Sequence, residues 1–143
     1  MREIEFRGKI RNEDTEEWFY GDLLQDTVGN MYIITKDYTP KPDGLIELNT
    51  CQSPKLDPET VGQYTGEKDS KGNKVYTGDI VRSGEEIGLV VFDENYLGYF
   101  VNLEEQQPLY DVFIEVIGNI HDNPELLESG NYADNDTMLP ATE

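Results

Sequence analysis

Residues 61–81 constrain the fold more than any other segment of the chain. They read VGQYTGEKDSKGNKVYTGDIV, which is two short β-prone runs on either side of a polar, glycine-containing turn. Each run carries a Tyr-Thr-Gly triplet, at 64–66 and at 76–78, and the second triplet leads directly into Asp79. This arrangement is typical of a β hairpin. We therefore expect a hairpin that begins a small β module.

Period-2 patterning dominates the rest of the sequence, and no stretch shows helical spacing over three turns. Polar or glycine-containing turns separate the β-prone runs, as in a small barrel or sandwich. The nearly continuous apolar runs 87–92 and 113–117 predict strands that are covered on both faces. The predicted strands are 3–7, 18–24, 31–35, 45–48, 61–65, 74–82, 87–93, 96–101 and 112–120.

A short helix is expected near residues 123–128. Asn123 is a suitable N-cap, Pro124 suits the first helical position, and Glu125 favours the positive end of the helix dipole. Leu126 and Leu127 would anchor this helix against the β module. The fold class is therefore mainly β, and α+β at most.

The chain divides into three predicted parts. Residues 1–59 form an N-terminal β-rich part that ends in a connector. Four prolines between residues 38 and 60 disfavour a regular strand or helix in this connector. Residues 60–128 form a small β-barrel domain. Residues 129–143 are polar and acidic and are expected to be a disordered tail.

The charge distribution limits the classes of partner. Net charge is −19, all 11 Lys and Arg lie at or before Arg82, and residues 83–143 hold 14 Asp and Glu. Nucleic-acid affinity comes largely from Lys and Arg, so direct nucleic-acid binding is not expected. The same field suits a partner protein with a basic surface. The charged N-terminus and the lack of an apolar run of roughly 20 residues predict a cytoplasmic protein.

Candidate catalytic and ligand-binding residues are few. The rings of Tyr64 and Tyr76 are expected to fill the core, although a platform for a peptide or a base is the alternative. Asp79 is expected to accept hydrogen bonds from turn amides. His121 is the one histidine, and pairing it with Cys51, the one cysteine, as a catalytic dyad has no support from the surrounding sequence.

Acidic pairs offer weak candidates for loose Ca²⁺ or Mg²⁺ binding, but solvated turns and tail explain them better. They are Glu85 and Glu86, Glu104 and Glu105, and Asp134 and Asp136. Residues 69–73 lack the ligand spacing of an EF-hand loop, and the sequence has no P-loop, dinucleotide-binding fingerprint or HExxH. We expect no catalytic, metal or cofactor-binding site, and therefore no enzyme.

The sequence resembles the YopX family over residues 1–128. The resemblance rests on the start MREIEFR, on 60–66 (TVGQYTG), on 68–74, on Tyr76 with 78–81 (GDIV), and on 115–127 (EVIGNIHDNPELL). Residues 18–49 match only loosely. The resemblance implies a small phage- or prophage-encoded protein of Gram-positive bacteria, a C-terminal SH3-like barrel behind a smaller N-terminal part, and self-association. It carries over no catalytic residue.

The expected function is that of a phage or prophage accessory protein in the host cytoplasm, acting by protein–protein contact or self-assembly. Two alternatives stay open. One is a nucleic-acid-associated β module that uses the tyrosines and the basic residues Arg2, Arg7, Lys9 and Arg11. The other is a small enzyme that uses His121.

Overall fold

A computed structural model of the protein describes residues 2–10, 17–47 and 53–129. Within these ranges the chain is mainly β, as the sequence predicts, with ten strands and one short α helix. The strands are β1 (Phe6–Lys9), β2 (Trp18–Gln25), β3 (Met31–Ile34), β4 (Gly62–Lys68), β5 (Lys74–Tyr76), β6 (Asp79–Ser83), β7 (Glu86–Asp93), β8 (Gly98–Asn102), β9 (Gln106–Pro108) and β10 (Glu115–Asn119). The helix, α1, is Glu125–Ser129, which confirms the helix predicted there.

The strands form two antiparallel five-strand sheets, in the orders β3-β2-β1-β4-β5 and β10-β6-β7-β8-β9. The chain divides into two compact units, Met1–Tyr64 and Thr65–Glu143, with the division inside β4. The predicted domain boundaries at 59/60 and 128/129 stay predictions. The expectation of a disordered tail falls almost entirely on residues 130–143, which lie outside the described residues.

Unit 1 is organised around β1, which pairs with β2 on one side and with the start of β4 on the other. β2 and β3 form a hairpin whose turn is held by Asp26, since its carboxylate accepts the amides of Val28 and Asn30. Gly29 in this turn has φ 95°, the left-handed conformation that glycine adopts without strain. The strands predicted at 18–24 and 31–35 are therefore observed, as β2 and β3.

The end of the proline-containing connector belongs to the fold of unit 1. The amide of Leu56 donates to the Met31 carbonyl at 2.8 Å, and the amide of Asp57 donates to the Lys9 carbonyl at 2.7 Å. Leu56 is 3% exposed and packs over Gly8, where a Cβ would lie 2.8 Å from a Leu56 methyl group. The strand predicted at 45–48 is wrong, because residues 45–47 form no strand and residue 48 is not described.

Unit 2 is a four-strand meander, β6 to β9, to which β10 returns beside β6. A 3-10 helix at Leu109–Asp111 precedes the return. Because side chains alternate between the two faces of a strand, valines of the meander point to one face, where they pack in a single core with residues from outside the meander strands. The core residues are Val75, Val81, Val90, Val101, Leu103, Leu109 and Ile114.

The single strand predicted at 74–82 is wrong, because the chain bends between β5 and β6. Gly78 has φ 93°, and its amide donates to the Val90 carbonyl at 2.9 Å. Asp79 is 2% exposed, and its Oδ2 accepts the Tyr76 amide at 2.8 Å. A positive-φ glycine followed by a carboxylate that bonds back three residues makes a turn out of an otherwise β-prone run.

The prediction that 87–92 and 113–117 are covered on both faces is also wrong. Val90 is buried, but Phe92 is 48% exposed and Phe113 is 81% exposed. Helix α1 covers part of the sheet by contacting β7. Leu126 of this helix packs against Gly118, where a Cβ would lie 2.9 Å from Leu126 Cδ1. The predicted cap residue Asn123 bonds elsewhere, because its Oδ1 accepts the Asn119 amide at 3.2 Å.

Neither sheet closes into a barrel. In the second sheet β9 and β10 are the two edge strands, and no pairing joins them among the described residues. The small barrel expected for residues 60–128 is therefore not observed as a closed barrel. Across residues 2–10, 17–47 and 53–129, no helix has the length and apolar character needed to cross a membrane.

Candidate interaction surface

The β7–β8 hairpin ends in a tip that places large apolar side chains in solvent. We call residues 92–100 the hairpin tip. Asp93 and Gly98 are its last paired residues, and residues 94–97 form the turn between them. Asp93 Oδ1 accepts the amides of Asn95 at 2.8 Å and of Tyr96 at 3.2 Å. The turn backbone is therefore held in one conformation by its own aspartate.

Leu97 has a backbone conformation in this turn that leucine rarely adopts. Its φ is 52°, and it is the one non-glycine residue with positive φ in the described part of the chain. A left-handed conformation costs an ordinary L residue about 1 kcal/mol, and glycine or asparagine is usual at such a position. The Leu97 side chain is 78% exposed, so packing within the chain does not repay this cost. Strained residues of this kind cluster at functional sites.

Aromatic side chains flank the turn on both faces of the hairpin. Phe92 and Tyr99 are direct cross-strand partners, with ring centroids 5.4 Å apart in an edge-to-face arrangement. Tyr96, which is 73% exposed, lies 5.7 Å from Phe100, ring centre to ring centre. Phe100 is on the sheet face opposite the core, because Tyr99 and Val101 beside it point to the core. The tip therefore presents a half-exposed aromatic and aliphatic surface.

The segment of the chain that contains the hairpin tip is rich in acidic residues. Residues 83–129 contain 11 Asp and Glu and neither Lys nor Arg. An open depression of about 280 Å³ lies against β7 and the β8–β9 turn, lined by Glu86, Glu104, Glu105, Leu103 and Gln107. Glu86 accepts the Glu104 amide at 2.9 Å. Two of the three predicted acidic pairs thus contribute at least one residue to this depression.

Two cations of unit 2 bind a carboxylate of the acidic segment. Glu115 binds Lys71 Nζ at 2.8 Å and Arg82 Nη2 at 2.8 Å. The hydrogen bond from Lys71, followed by the one from Arg82, holds the pKa of Glu115 below its ordinary value. Lys71 and Arg82 are therefore both bound to one of the eleven acidic residues of 83–129, and the other ten have no Lys or Arg within that segment.

The tyrosine triplets serve the core. Tyr64 and Tyr76 are each 5% exposed, so the core-filling interpretation is confirmed and neither ring forms an open platform for a peptide or a base. Thr65 is also buried, and its hydroxyl donates to the Val75 carbonyl at 2.8 Å. The prediction that Asp79 accepts a turn amide is confirmed as well.

The structure describes the remaining candidate residues only in part. His121 is exposed in a turn where its amide donates to Asn119 Oδ1 at 3.0 Å. Cys51, its hypothetical partner, lies outside the described residues, as do Asp134 and Asp136. Within the described ranges, no three or more His, Cys, Asp or Glu side chains are grouped so that they could hold a metal ion.

The basic N-terminal residues are only partly available to a phosphate backbone. Arg7 is 6% exposed, and its guanidinium lies 4.6 Å from the centre of the Trp18 ring. Lys9 Nζ lies 5.5 Å from the same ring. Both cations are in range of a cation–π contact that holds them on β2. Arg11 lies outside the described residues.

Sequence reasoning did not identify the hairpin tip, although a signal was present. The predicted strands 87–93 and 96–101 leave only Glu94 and Asn95 between them, so the prediction places Tyr96 and Leu97 in a strand. Tyr96 and Leu97 are two large apolar residues adjacent to a turn, where polar residues and glycine are usual. That mismatch between residue type and position is what marks the tip in the structure.

The comparisons with known proteins agree with the resemblance noted in the sequence. No match was found among curated proteins. A family model described as YopX protein matches residues 5–128, which is most of the chain and includes the hairpin of the tyrosine triplets, the hairpin tip and helix α1. The chain therefore belongs to the YopX protein family.

Proposed function

We propose that the protein is a non-enzymatic accessory protein of phage or prophage origin, which acts in the host cytoplasm by binding a partner protein with a basic surface. The observation that supports this most directly is the cation-free second half of the chain. Eleven acidic residues lie in 83–129 without one Lys or Arg, while Lys71 and Arg82 are bound to Glu115. Such a field attracts a basic surface and repels phosphate.

The charge pattern also favours a different protein over a second copy as partner. Two copies of the same cation-free surface repel each other at moderate ionic strength. Self-assembly through this surface would need contacts that overcome that repulsion. Measurement of the solution mass distinguishes the two cases, and a stable dimer or larger assembly would favour self-assembly.

We also propose that unit 2 is SH3-like in strand order. The support is a four-strand meander with a 3-10 helix before the last strand, which returns beside the first strand. The proposal concerns the order of the strands and not closure of the sheet. SH3-like modules have many different functions. The assignment therefore supports an interaction module in general and does not identify its partner.

Capture from host lysate tests the proposed function. The immobilised full chain is expected to retain a basic protein at about 0.05 M salt and to release it at about 0.5 M salt, because screening weakens contacts between surface charges. The double variant Glu104→Gln with Glu105→Gln is expected to retain less of it. The matched control, Glu47→Gln with Glu59→Gln, removes the same charge from exposed positions of unit 1 and is expected to behave as the parent.

Three results would overturn the proposal. One is that no basic protein is retained at either salt concentration. Another is that retention is indifferent to salt and to the Glu104 and Glu105 changes. The third is that duplex DNA or single-stranded RNA is bound directly in a gel shift at low salt, which would favour the nucleic-acid alternative. An activity that His121→Ala abolishes would favour the enzyme alternative.

A further inference from the structure

The hairpin tip combines three properties that a purely structural turn does not need. Its turn residues Tyr96 and Leu97 are 73% and 78% exposed. Its backbone holds Leu97 in a left-handed conformation. Its aspartate, Asp93, fixes the turn through two backbone amides, and Gln106 Nε2 donates to the other carboxylate oxygen at 3.2 Å. The exposed side chains are therefore presented on a fixed backbone, which lowers the ordering cost of binding.

Aromatic and aliphatic groups of this size are the usual anchors of protein interfaces. Binding energy concentrates in a few such residues, which fill pockets of the partner and are surrounded by weaker contacts. At the tip, Tyr96 and Leu97 are the most exposed apolar residues, the Tyr96 ring packs beside Phe100, and Phe92 packs against Tyr99. The tip thus has an apolar centre of the kind that inserts into a partner.

The charge around this centre selects the partner. Asp93 and Glu94 are part of the tip, whereas Glu104 and Glu105 lie in the turn that follows the other end of β8. Because no Lys or Arg occurs in 83–129, a partner gains electrostatic attraction only by supplying the cations itself. A second copy of this surface does not supply them. Charge complementarity therefore points to a basic partner protein.

We propose that the hairpin tip is the docking site for a partner protein that presents an apolar pocket or apolar side chains among Lys and Arg residues, with Tyr96 and Leu97 as the anchors. This rests on the proposed function and deepens it, because it names the surface and adds the apolar requirement. The acidic residues raise the association rate with the basic partner and orient it. The apolar side chains of the tip then select a partner that offers apolar groups.

Two synthetic peptides of equal charge test the chemistry of the site. One alternates Lys with Leu and Phe, and the other has Ser in place of every Leu and Phe. The full chain is expected to bind the apolar peptide about 10-fold more tightly than the Ser peptide, and the variants Leu97→Gly and Tyr96→Ser are each expected to remove most of that difference. Fluorescence anisotropy gives the affinities, and amide chemical shifts locate the binding residues.

The control variant is Phe113→Ser, which removes an equally exposed aromatic side chain from the loop before β10. It is expected to leave the preference for the apolar peptide unchanged. Leu97→Gly has a further use, because glycine suits the left-handed φ. The urea midpoint of this variant is expected to equal or exceed that of the parent, so a loss of binding would not reflect unfolding.

The outcomes separate this inference from the proposed function. If both peptides bind equally, or if chemical shifts change at Glu86, Glu104 and Glu105 but not at the tip, the docking site is overturned while binding of a basic partner stands. If Leu97→Gly and Tyr96→Ser retain the full preference, the anchors are wrong. If the tip instead mediates dimerisation that Leu97→Gly abolishes, the partner class is wrong. If neither peptide binds at low salt, both the inference and the proposed function lose their support.

Discussion

Replacing Gly88 with alanine is expected to destabilise unit 2 by about 3 kcal/mol. A Cβ at Gly88 would lie 2.4 Å from the Asn102 carbonyl oxygen and 2.9 Å from a methyl group of Leu103. The first of these atoms is backbone, so neither rotation nor repacking of a side chain relieves the clash. β7 and β8 would have to separate where Leu89 pairs with Asn102, beside the buried Leu103.

Gly98→Ala is the matched control, because Gly98 lies in the same pair of strands. The nearest atom to a Cβ there is a Phe100 ring carbon at 3.7 Å, which is ordinary van der Waals contact. Alanine restricts the unfolded chain, so the Gly98→Ala variant is expected to be equal in stability or up to about 1 kcal/mol more stable. Urea unfolding followed by circular dichroism gives both values, and hydrogen exchange assigns the change to β6–β9. If the Gly88→Ala variant were as stable as the Gly98→Ala variant, the Asn102 carbonyl oxygen could not lie as close to Gly88 as the structure places it.

The parts of the fold that the sequence predicts are those in which local pattern and tertiary packing agree. The hairpin of the tyrosine triplets is observed as β4 and β5, and the polar turn between them contains Gly72 with φ 85°. Helix α1 follows from residue types with strong preferences at a helix start. In these segments turn chemistry and periodicity are sufficient, because no distant residue overrides them.

The parts that the sequence does not predict depend on contacts between distant residues. Leu56 follows three of the four prolines of the connector, and it is buried through contacts with distant residues, which include its amide bond to Met31 on β3 and its packing over Gly8 on β1. Strand β9 carries Gln106, Gln107 and Pro108, which have no β pattern, and its pairing with β8 makes it a strand. Phe92 and Phe113 are exposed because no other part of the described chain covers the surfaces on which they lie. A run of apolar residues does not indicate which of its surfaces will be covered.

Asp69 is expected to be the most important single carboxylate for unit 2. It is 7% exposed, and it follows β4 in the turn before β5. Its Oδ1 accepts the amides of Lys71 at 3.0 Å and Asn73 at 2.8 Å, which fixes the turn. Its Oδ2 accepts the Val116 amide on β10 at 2.9 Å, so one side chain ties the turn to an edge strand 47 residues away.

The Asp69→Asn variant is expected to unfold with about 2 kcal/mol less free energy than the parent at neutral pH. Asparagine keeps one oxygen and replaces the other with an amino group, so either the turn amides or the Val116 amide must face a donor. Burial acts to raise the pKa of Asp69, but the hydrogen bonds from Val116, Asn73 and Lys71 outweigh it and leave the pKa below its ordinary value. Urea unfolding of both proteins across a pH series measures the difference.

Because the folded pKa of Asp69 is depressed, its contribution is present above the unfolded pKa and is lost as pH falls through the folded value. The difference between parent and Asp69→Asn should therefore be constant from neutral pH down to about pH 4 and should shrink below it. Asp111→Asn makes the same charge change at an exposed position and is expected to have little effect at any pH. If the parent and Asp69→Asn differed equally at pH 7 and well below pH 4, the stabilisation would not come from the ionised carboxylate. The difference would then come from the amino group of asparagine, which faces a backbone amide whatever the pH.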